Sequence, residues 1–407
     1  EYKMTKAKTA NRWLILVAGF LFNFCISGTS AFSIFVNPVM QATGWSQGSV
    51  TIAYTIYNIM VCVMGIVVGT MLGKISVRAL IYTGSILFGL GWIVTGFSSS
   101  VWMMYLGFGF ISGAGGGCLY NFSVTNTTKW FPDKRGFVSG LLLGGAAIGP
   151  VFCAPVANAV LASGGVFNAY KIMGIIYLSI MLLVGWMVHT PPEGYIPEGW
   201  TPPQSAASTL FSEGVNWRGM LKTPTFWMLY LLFVLACTPT MMMLGCVAKI
   251  GQEQAGMSAA QAALSVSLLA IFNFCGRLLF GMVSDKLGRY KTLLIALCIN
   301  FAAILGLSQM KTAVPFMFVM CLISMCGSAL LVMFPPITSE QFGAKHVGLN
   351  YSIMFSAYSI AGLIGPQIAS LFKEKTGAYT GALIVAAIGT ALAVLLLLAT
   401  MKRSKRA

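Results

Sequence analysis

Apolar residues in this chain do not recur on a helical or strand period against a polar background. They come in long, evenly apolar runs separated by short polar breaks. A helix crossing a hydrocarbon core needs about 20 such residues, whereas a membrane strand shows dyad alternation over about ten. The runs lie near 13–36, 48–72, 79–97, 101–125, 137–162, 169–188, 225–250, 259–283, 291–308, 313–335, 350–372 and 379–400, and they predict twelve membrane-spanning helices. A polar stretch rich in Pro, Ser and Glu, from His189 to Pro224, divides the runs six and six. The expected organisation is all-α and membrane-integral. A six-helix bundle spans 1–188, a cytoplasmic linker 189–224 and a second six-helix bundle 225–407. The linker is expected to be partly extended, with one short amphipathic helix near Leu210–Leu221.

The two halves read as diverged copies. Asn11-Arg12-Trp13 opens the first run as Thr225-Phe226-Trp227 opens the seventh. Gly69 to Gly73 parallels Gly276 to Gly281, and Gly145 to Pro150 parallels Ala361 to Pro366. Shared order and offset predict pseudo-symmetric bundles, and substrate paths form at such repeat interfaces. Phe334-Pro335-Pro336 is expected to bend or end the tenth helix. The glycines from Gly113 to Gly117 lack the strand, loop and Lys-Ser/Thr of a phosphate loop and read as close helix packing.

Composition agrees. Of the 407 residues, 57% are hydrophobic and 8% charged, and mean hydropathy is +0.83. The net charge of +16 raises nucleic acid as a partner, but its distribution excludes that reading. With both termini in the cytoplasm, 19 of the 25 Lys and Arg fall inside, five outside and one within a run. This is the positive-inside bias, with anionic headgroups as natural contacts. The ten cysteines stand singly and read as small buried apolar residues. The two histidines, His189 and His346, fall in polar segments, so no metal, cofactor or histidine-based catalysis is expected. Met4 reads as the natural start. The first run is too long for a signal-peptide core and is expected to stay as a helix.

Arg277, in SLLAIFNFCGRLLFGMVSD, is the one charged residue well inside a run. A guanidinium in a bilayer costs at least about 2.5–3.5 kcal/mol and marks a functional site by default. No Asp or Glu lies in any run. Arg277 therefore reads as a receptor for an external anion. Its pseudo-equivalent in the first half is Thr70, so the scaffold itself does not require a cation there. The competing reading is a structural arginine satisfied by Asn273 and backbone carbonyls. A helical side chain leans toward its helix N-terminus, which in the eighth helix points to the membrane centre. The guanidinium fork can clamp a carboxylate with two parallel hydrogen bonds. Asn273, four residues earlier on the same face, can orient Arg277, meet a substrate hydroxyl, or bond a neighbouring helix. Tyr351, Phe355 and Tyr358 line one face of the eleventh helix, as a pocket wall or as ordinary packing.

These motifs resemble the major facilitator superfamily. Gly281-Met-Val-Ser-Asp285-Lys286-Leu-Gly288-Arg289-Tyr-Lys291 is close to its loop signature, while Gly73-Lys74-Ile-Ser-Val-Arg78 lacks the acidic residue. Within it, Lys129-Trp130-Phe131-Pro132-Asp133-Lys134-Arg135-Gly136 and Phe32-Ser33-Ile34-Phe35-Val36-Asn37-Pro38 are similar to the oxalate/formate antiporter group, close to the monocarboxylate transporters. The resemblance covers essentially the whole chain. It implies the superfamily's two-bundle fold and a gating role for Asp133, Arg135, Asp285, Lys286 and Arg289. In both groups an arginine of the eighth helix binds a substrate carboxylate, and Arg277 matches it. The exchanger also uses a lysine in the eleventh helix, where this chain has Tyr358. Monocarboxylate transporters carry an Asp where this chain has Asn273, and a first-helix lysine that is absent here. The resemblance also places Tyr120 toward the cavity.

The expected function is secondary transport of a small monocarboxylate such as lactate, pyruvate or formate, with protons as candidate coupling ions. The chain is expected to work as a monomer in a bacterial inner membrane. Organic-anion exchange of the oxalate/formate kind is the main alternative. A drug or cation exporter would want a membrane carboxylate, and an enzyme would want a nucleophile–base pair or metal cluster. The sequence offers neither.

Overall fold

The computed structural model describes residues 11–71, 75–192, 195–197, 214–343 and 345–404. The expectations for the natural start at Met4, for Gly73 and Lys74 of the first loop motif and for most of the linker concern residues outside that set.

Every regular element among the described residues is a helix. Helix α1 covers 12–43: Arg12–Ile26 and Phe32–Thr43 are joined by the 3₁₀ turn Ser27–Ala31. Helices α2 (Gln47–Met71) and α3 (Val77–Thr95) follow. Helix α4 runs over 101–129 through a π-helical stretch at Tyr105–Ser112. A single 51-residue stretch, Arg135–Gly185, turns at Gly165, whose φ of 75° is open to glycine at no steric cost. It supplies α5 (135–164) and α6 (166–185). The second half comprises α7 (Pro224–Ala255), α8 (Ala259–Leu287), α9 (Arg289–Leu307), α10 (Ala313–Phe342), α11 (Val347–Thr376) and α12 (Thr380–Ser404). Ten stretches among the described residues are long and apolar enough to cross a membrane by length and composition. Counting the turn at Gly165 and adding the π-interrupted α4 gives the twelve crossings of the sequence pattern.

Local chemistry sets the ends. Thr223 caps α7 with Pro224 in its first turn, and Ser258 and Gln261 form a reciprocal capping box on α8. Gly256 and Gly377 close α7 and α11 in the left-handed conformation. Between Asn216 and Leu221 the described end of the linker holds only the short helix Trp217–Leu221, capped by the Asn216 side chain.

Two expectations change. Of the two outcomes expected at Pro335-Pro336, a bend or an end, the end is ruled out, because helix α10 continues to Phe342. Prolines are tolerated inside membrane helices because neighbouring groups satisfy the freed backbone. The ten cysteines are all free, but Cys275 and Cys298 are exposed rather than buried. The outer helix faces carry large apolar residues such as Leu183, Val314 and Leu395. A cysteine facing lipid is as well placed there as one in the core.

The chain divides into two compact units, Glu1–Asp133 with Phe152–Pro203, and Lys134–Val151 with Gln204–Ala407. In the first, α4 packs against α1, α2 and α3. In the second, α10 packs against α7, α8 and α9, repeating that pattern. Gly113 and Gly117 allow the close approach: a methyl on Gly113 would lie 2.9 Å from the Tyr57 carbonyl, and one on Gly117 2.6 Å from that of Val61. The beginning of α5 belongs to the second unit, beside α8.

Candidate functional site

In the second unit, α8 packs against α7, α9 and α10. Asn273 and Arg277 lie one turn apart on its buried side, 5% and 7% exposed. Asn273 Nδ2 makes long contacts, 3.4 Å each, to the Ser324 carbonyl and hydroxyl of α10. Ser324 Oγ in turn donates to the Leu269 carbonyl at 2.8 Å. Asn273 thus ties α8 to α10. Arg277 Nη1 donates to the main-chain carbonyl of Leu143 in α5. A backbone carbonyl was among the partners foreseen for this arginine; which carbonyl it would be had no sequence signal. Arg277 also lies within electrostatic reach of Cys237 in α7.

Helix α5 can approach because its facing side is bare. Gly136, Gly140 and Gly144 recur every fourth residue, the spacing that brings small residues to one helix face. A methyl on Gly140 would collide with the Arg277 carbonyl, and one on Gly144 would lie 2.9 Å from the Phe274 ring. A methyl on Gly281, from the α8 side, would lie 2.5 Å from the Gly136 carbonyl.

One end of this crossing carries the loop motif. The Asp285 carboxylate accepts from the backbone N–H groups of Gly136 and Phe137, both at 2.9 Å. These are among the donors a helix N-terminus leaves open, and a carboxylate also suits the positive end of the helix dipole. Arg289 Nη1 donates to Asp285 Oδ1 and Ser284 Oγ, each at 2.6 Å, and Arg289 Nε reaches Glu340 Oε1 at 3.4 Å. Arg135 lies in the field of Glu340, Arg289 and Asp285. Lys286 is exposed. Asp133 belongs to the other unit, where it pairs with Arg12 at 2.8 Å. The Arg12 guanidinium also lies over the Phe131 ring, 4.8 Å from its centroid.

The aromatic face of α11 is real. Tyr351 and Phe355 have ring centroids 5.8 Å apart, and Phe355 stacks on Tyr358 at 5.2 Å. Phe355 and Tyr358 are half-buried. Helices α7 and α10 each pack against both α8 and α11, so the arginine helix and the aromatic helix share two neighbours. Tyr120 lies in the first unit, half-buried in α4. Its carbonyl accepts from Ser123 Oγ at 3.0 Å, and the neighbouring Asn121 Nδ2 donates to the Gly65 carbonyl at 2.6 Å. The structure thus brings Asn273 and Arg277 together, groups Phe355 with Tyr358, and sets Asp285 and Arg289 in one network with Glu340. Among the described residues no group of His, Cys, Asp and Glu is arranged to hold a metal ion.

A family model of the Major Facilitator Superfamily matches residues 15–338 and 250–407. The chain belongs to this superfamily. It is similar to the oxalate:formate antiporter of Oxalobacter formigenes, 28% identical over 382 residues that cover 92% of this chain and 88% of that protein. It is also similar to monocarboxylate transporter 12 of Rattus norvegicus, 22% identical over 406 residues covering 92% and 82%. Among solved structures, the Escherichia coli fucose:proton symporter aligns with a TM-score of 0.72 at 16% identity, over 95% of this chain and 98% of that one. That likeness shows the fold alone. This major facilitator is therefore a multi-pass membrane transporter, related to the oxalate:formate antiporter and the monocarboxylate transporters, as its loop motifs imply.

Proposed function

We propose that this protein moves a small monocarboxylate of the lactate, pyruvate or formate kind across a membrane by alternating access, linked to protons, with Arg277 holding the carboxylate. The observation that carries this reading is a guanidinium buried to 7% exposure within an apolar helix of a transporter scaffold. The Leu143 acceptor on Nη1 is a backbone carbonyl, which carries no net charge. A carboxylate would meet the fork with two bonds and also neutralise it. One guanidinium matches one carboxylate. Where the exchanger pattern has a second cation, this chain has Tyr358. A dianion would bring a further negative charge into a buried site, which is costly without a partner.

Asn273 and Phe355 are proposed to shape the pocket beside Arg277 and Tyr358, and Tyr120 to face it from the first half. The transport halves are taken as 1–188 and 225–407, joined through 189–224, with Asp133, Arg135, Asp285, Lys286 and Arg289 as gating residues. The protein is proposed to work as a monomer in a bacterial inner membrane, with both termini in the cytoplasm. Exchange of organic anions is the second reading. It draws on the identity of 28% with the oxalate:formate antiporter, against 22% with the monocarboxylate transporter.

Counterflow in proteoliposomes separates these readings. Labelled lactate, formate and oxalate are offered with and without a proton gradient. Saturable lactate or formate entry that a gradient accelerates supports the first reading. Oxalate as the favoured, gradient-insensitive substrate establishes the second. Absence of flux for all three removes both.

A further inference from the structure

We infer that the Leu143 main-chain carbonyl is an internal competitor for the substrate, and that its displacement from Arg277 loosens α5 from α8. This rests on the proposed role of Arg277 as the carboxylate site. Three observations meet at one helix crossing. Arg277 Nη1 donates to the Leu143 carbonyl. Gly140, one turn earlier in α5, lies so close to the Arg277 carbonyl that a methyl group would collide with it. Gly144, one residue beyond Leu143, faces the Phe274 ring one turn before Arg277 in α8. The side chain proposed to bind substrate is thus also a cross-helix tie, made where small residues give the closest approach.

The two roles compete. A helical carbonyl already accepts from the N–H four residues on, here Ala147, and offers the guanidinium only its second lone pair. A carboxylate offers two oxygens for two parallel bonds and a full negative charge, so it adds ion-pair attraction that a neutral carbonyl lacks. Substrate therefore outcompetes Leu143, and the guanidinium turns from α5 to the ligand. What then holds α5 to α8 is close packing of small residues and the Asp285 cap on the Gly136 and Phe137 N–H groups. Binding in this way is converted into a weakened helix contact, with differential affinity for the two packings as its driving force. No bond is made or broken covalently; only hydrogen-bond partners exchange.

Hydrogen exchange on the full-length protein in detergent, with saturating formate or lactate, tests this directly. Ligands ordinarily slow exchange in the helices around them. Here the amides of 140–151 are expected to exchange several-fold faster with carboxylate bound. Gly140→Ala supplies the second measurement. Its methyl pushes α5 from α8 and breaks the internal tie beforehand. The variant should bind carboxylate about tenfold more tightly, equivalent to about 1.4 kcal/mol, while its maximal exchange rate falls. It should also show the faster amide exchange before substrate is added. Slower or unchanged exchange in 140–151 while carboxylate demonstrably binds would overturn the inference and leave the proposed function standing. So would unchanged or weaker binding by a folded Gly140→Ala. If the unaltered protein binds no carboxylate at all, the proposed function fails and the inference falls with it. If Gly140→Ala does not fold, the exchange measurement on the unaltered protein decides alone.

Discussion

On the proposed reading, selectivity follows at the scale of single side chains from how many charges the site can match. Arg277 offers one fixed positive charge in a plane suited to one carboxylate. Tyr358 stacks on Phe355 and brings a phenol to the position where the exchanger pattern has a lysine. Monocarboxylates should therefore outcompete dicarboxylates for the unaltered protein. Tyr358→Lys should move preference toward oxalate by tenfold or more, read as the ratio of inhibition constants for oxalate and formate against labelled lactate at constant ionic strength. If oxalate already binds the unaltered protein more tightly than formate, the match of one charge to one charge is wrong. Arg277 was legible because a charge in an apolar run is conspicuous. Its partner was not, since a carbonyl belongs to every residue and only the fold selects Leu143. Asn273 shows a related limit: the sequence left three roles open, and the structure turns its amide toward Ser324.

At the scale of elements, the first half of α5 is held to α8 by shape along its length and by charge at its end. Asp285 accepts two backbone N–H groups and is itself held by Arg289. Asp285→Asn keeps the shape but loses the charge that fits the helix N-terminus and the guanidinium. Hydrogen bonds to charged groups contribute about 1.5–3 kcal/mol each. The variant should lower the thermal midpoint in detergent and slow transport, with little change in half-saturating substrate. An unchanged midpoint would show that glycine packing alone holds the crossing. The Gly136, Gly140 and Gly144 spacing is present in the sequence, but its meaning depends on a partner more than a hundred residues away. Helix identities were legible because length and hydropathy decide them. The continuation of α10 through Pro335-Pro336 was not, because tertiary neighbours decide whether a membrane helix survives a proline.

For the whole molecule, alternating access requires the site to pass through a state closed to both sides. On the proposed reading, a carboxylate beside Arg277 enters that state as a neutral pair, whereas the empty site brings no substrate anion to offset the guanidinium. At a cost of at least about 2.5–3.5 kcal/mol for a charge in the membrane, the empty return should be slower by about a hundredfold. Exchange of one monocarboxylate for another should accordingly outrun net uptake in the same proteoliposomes. Equal rates would mean that the empty carrier returns freely. The twelve-helix plan was legible across the entire chain, yet the grouping of Lys134–Val151 with the second unit was not, since chain order alone assigns α5 to the first half. The central claim is that Arg277 receives the substrate carboxylate, and counterflow by Arg277→Lys and Arg277→Gln in proteoliposomes tests it most directly. The account predicts that both variants remain folded in detergent and lose saturable carboxylate uptake; near-normal uptake by Arg277→Gln would contradict it.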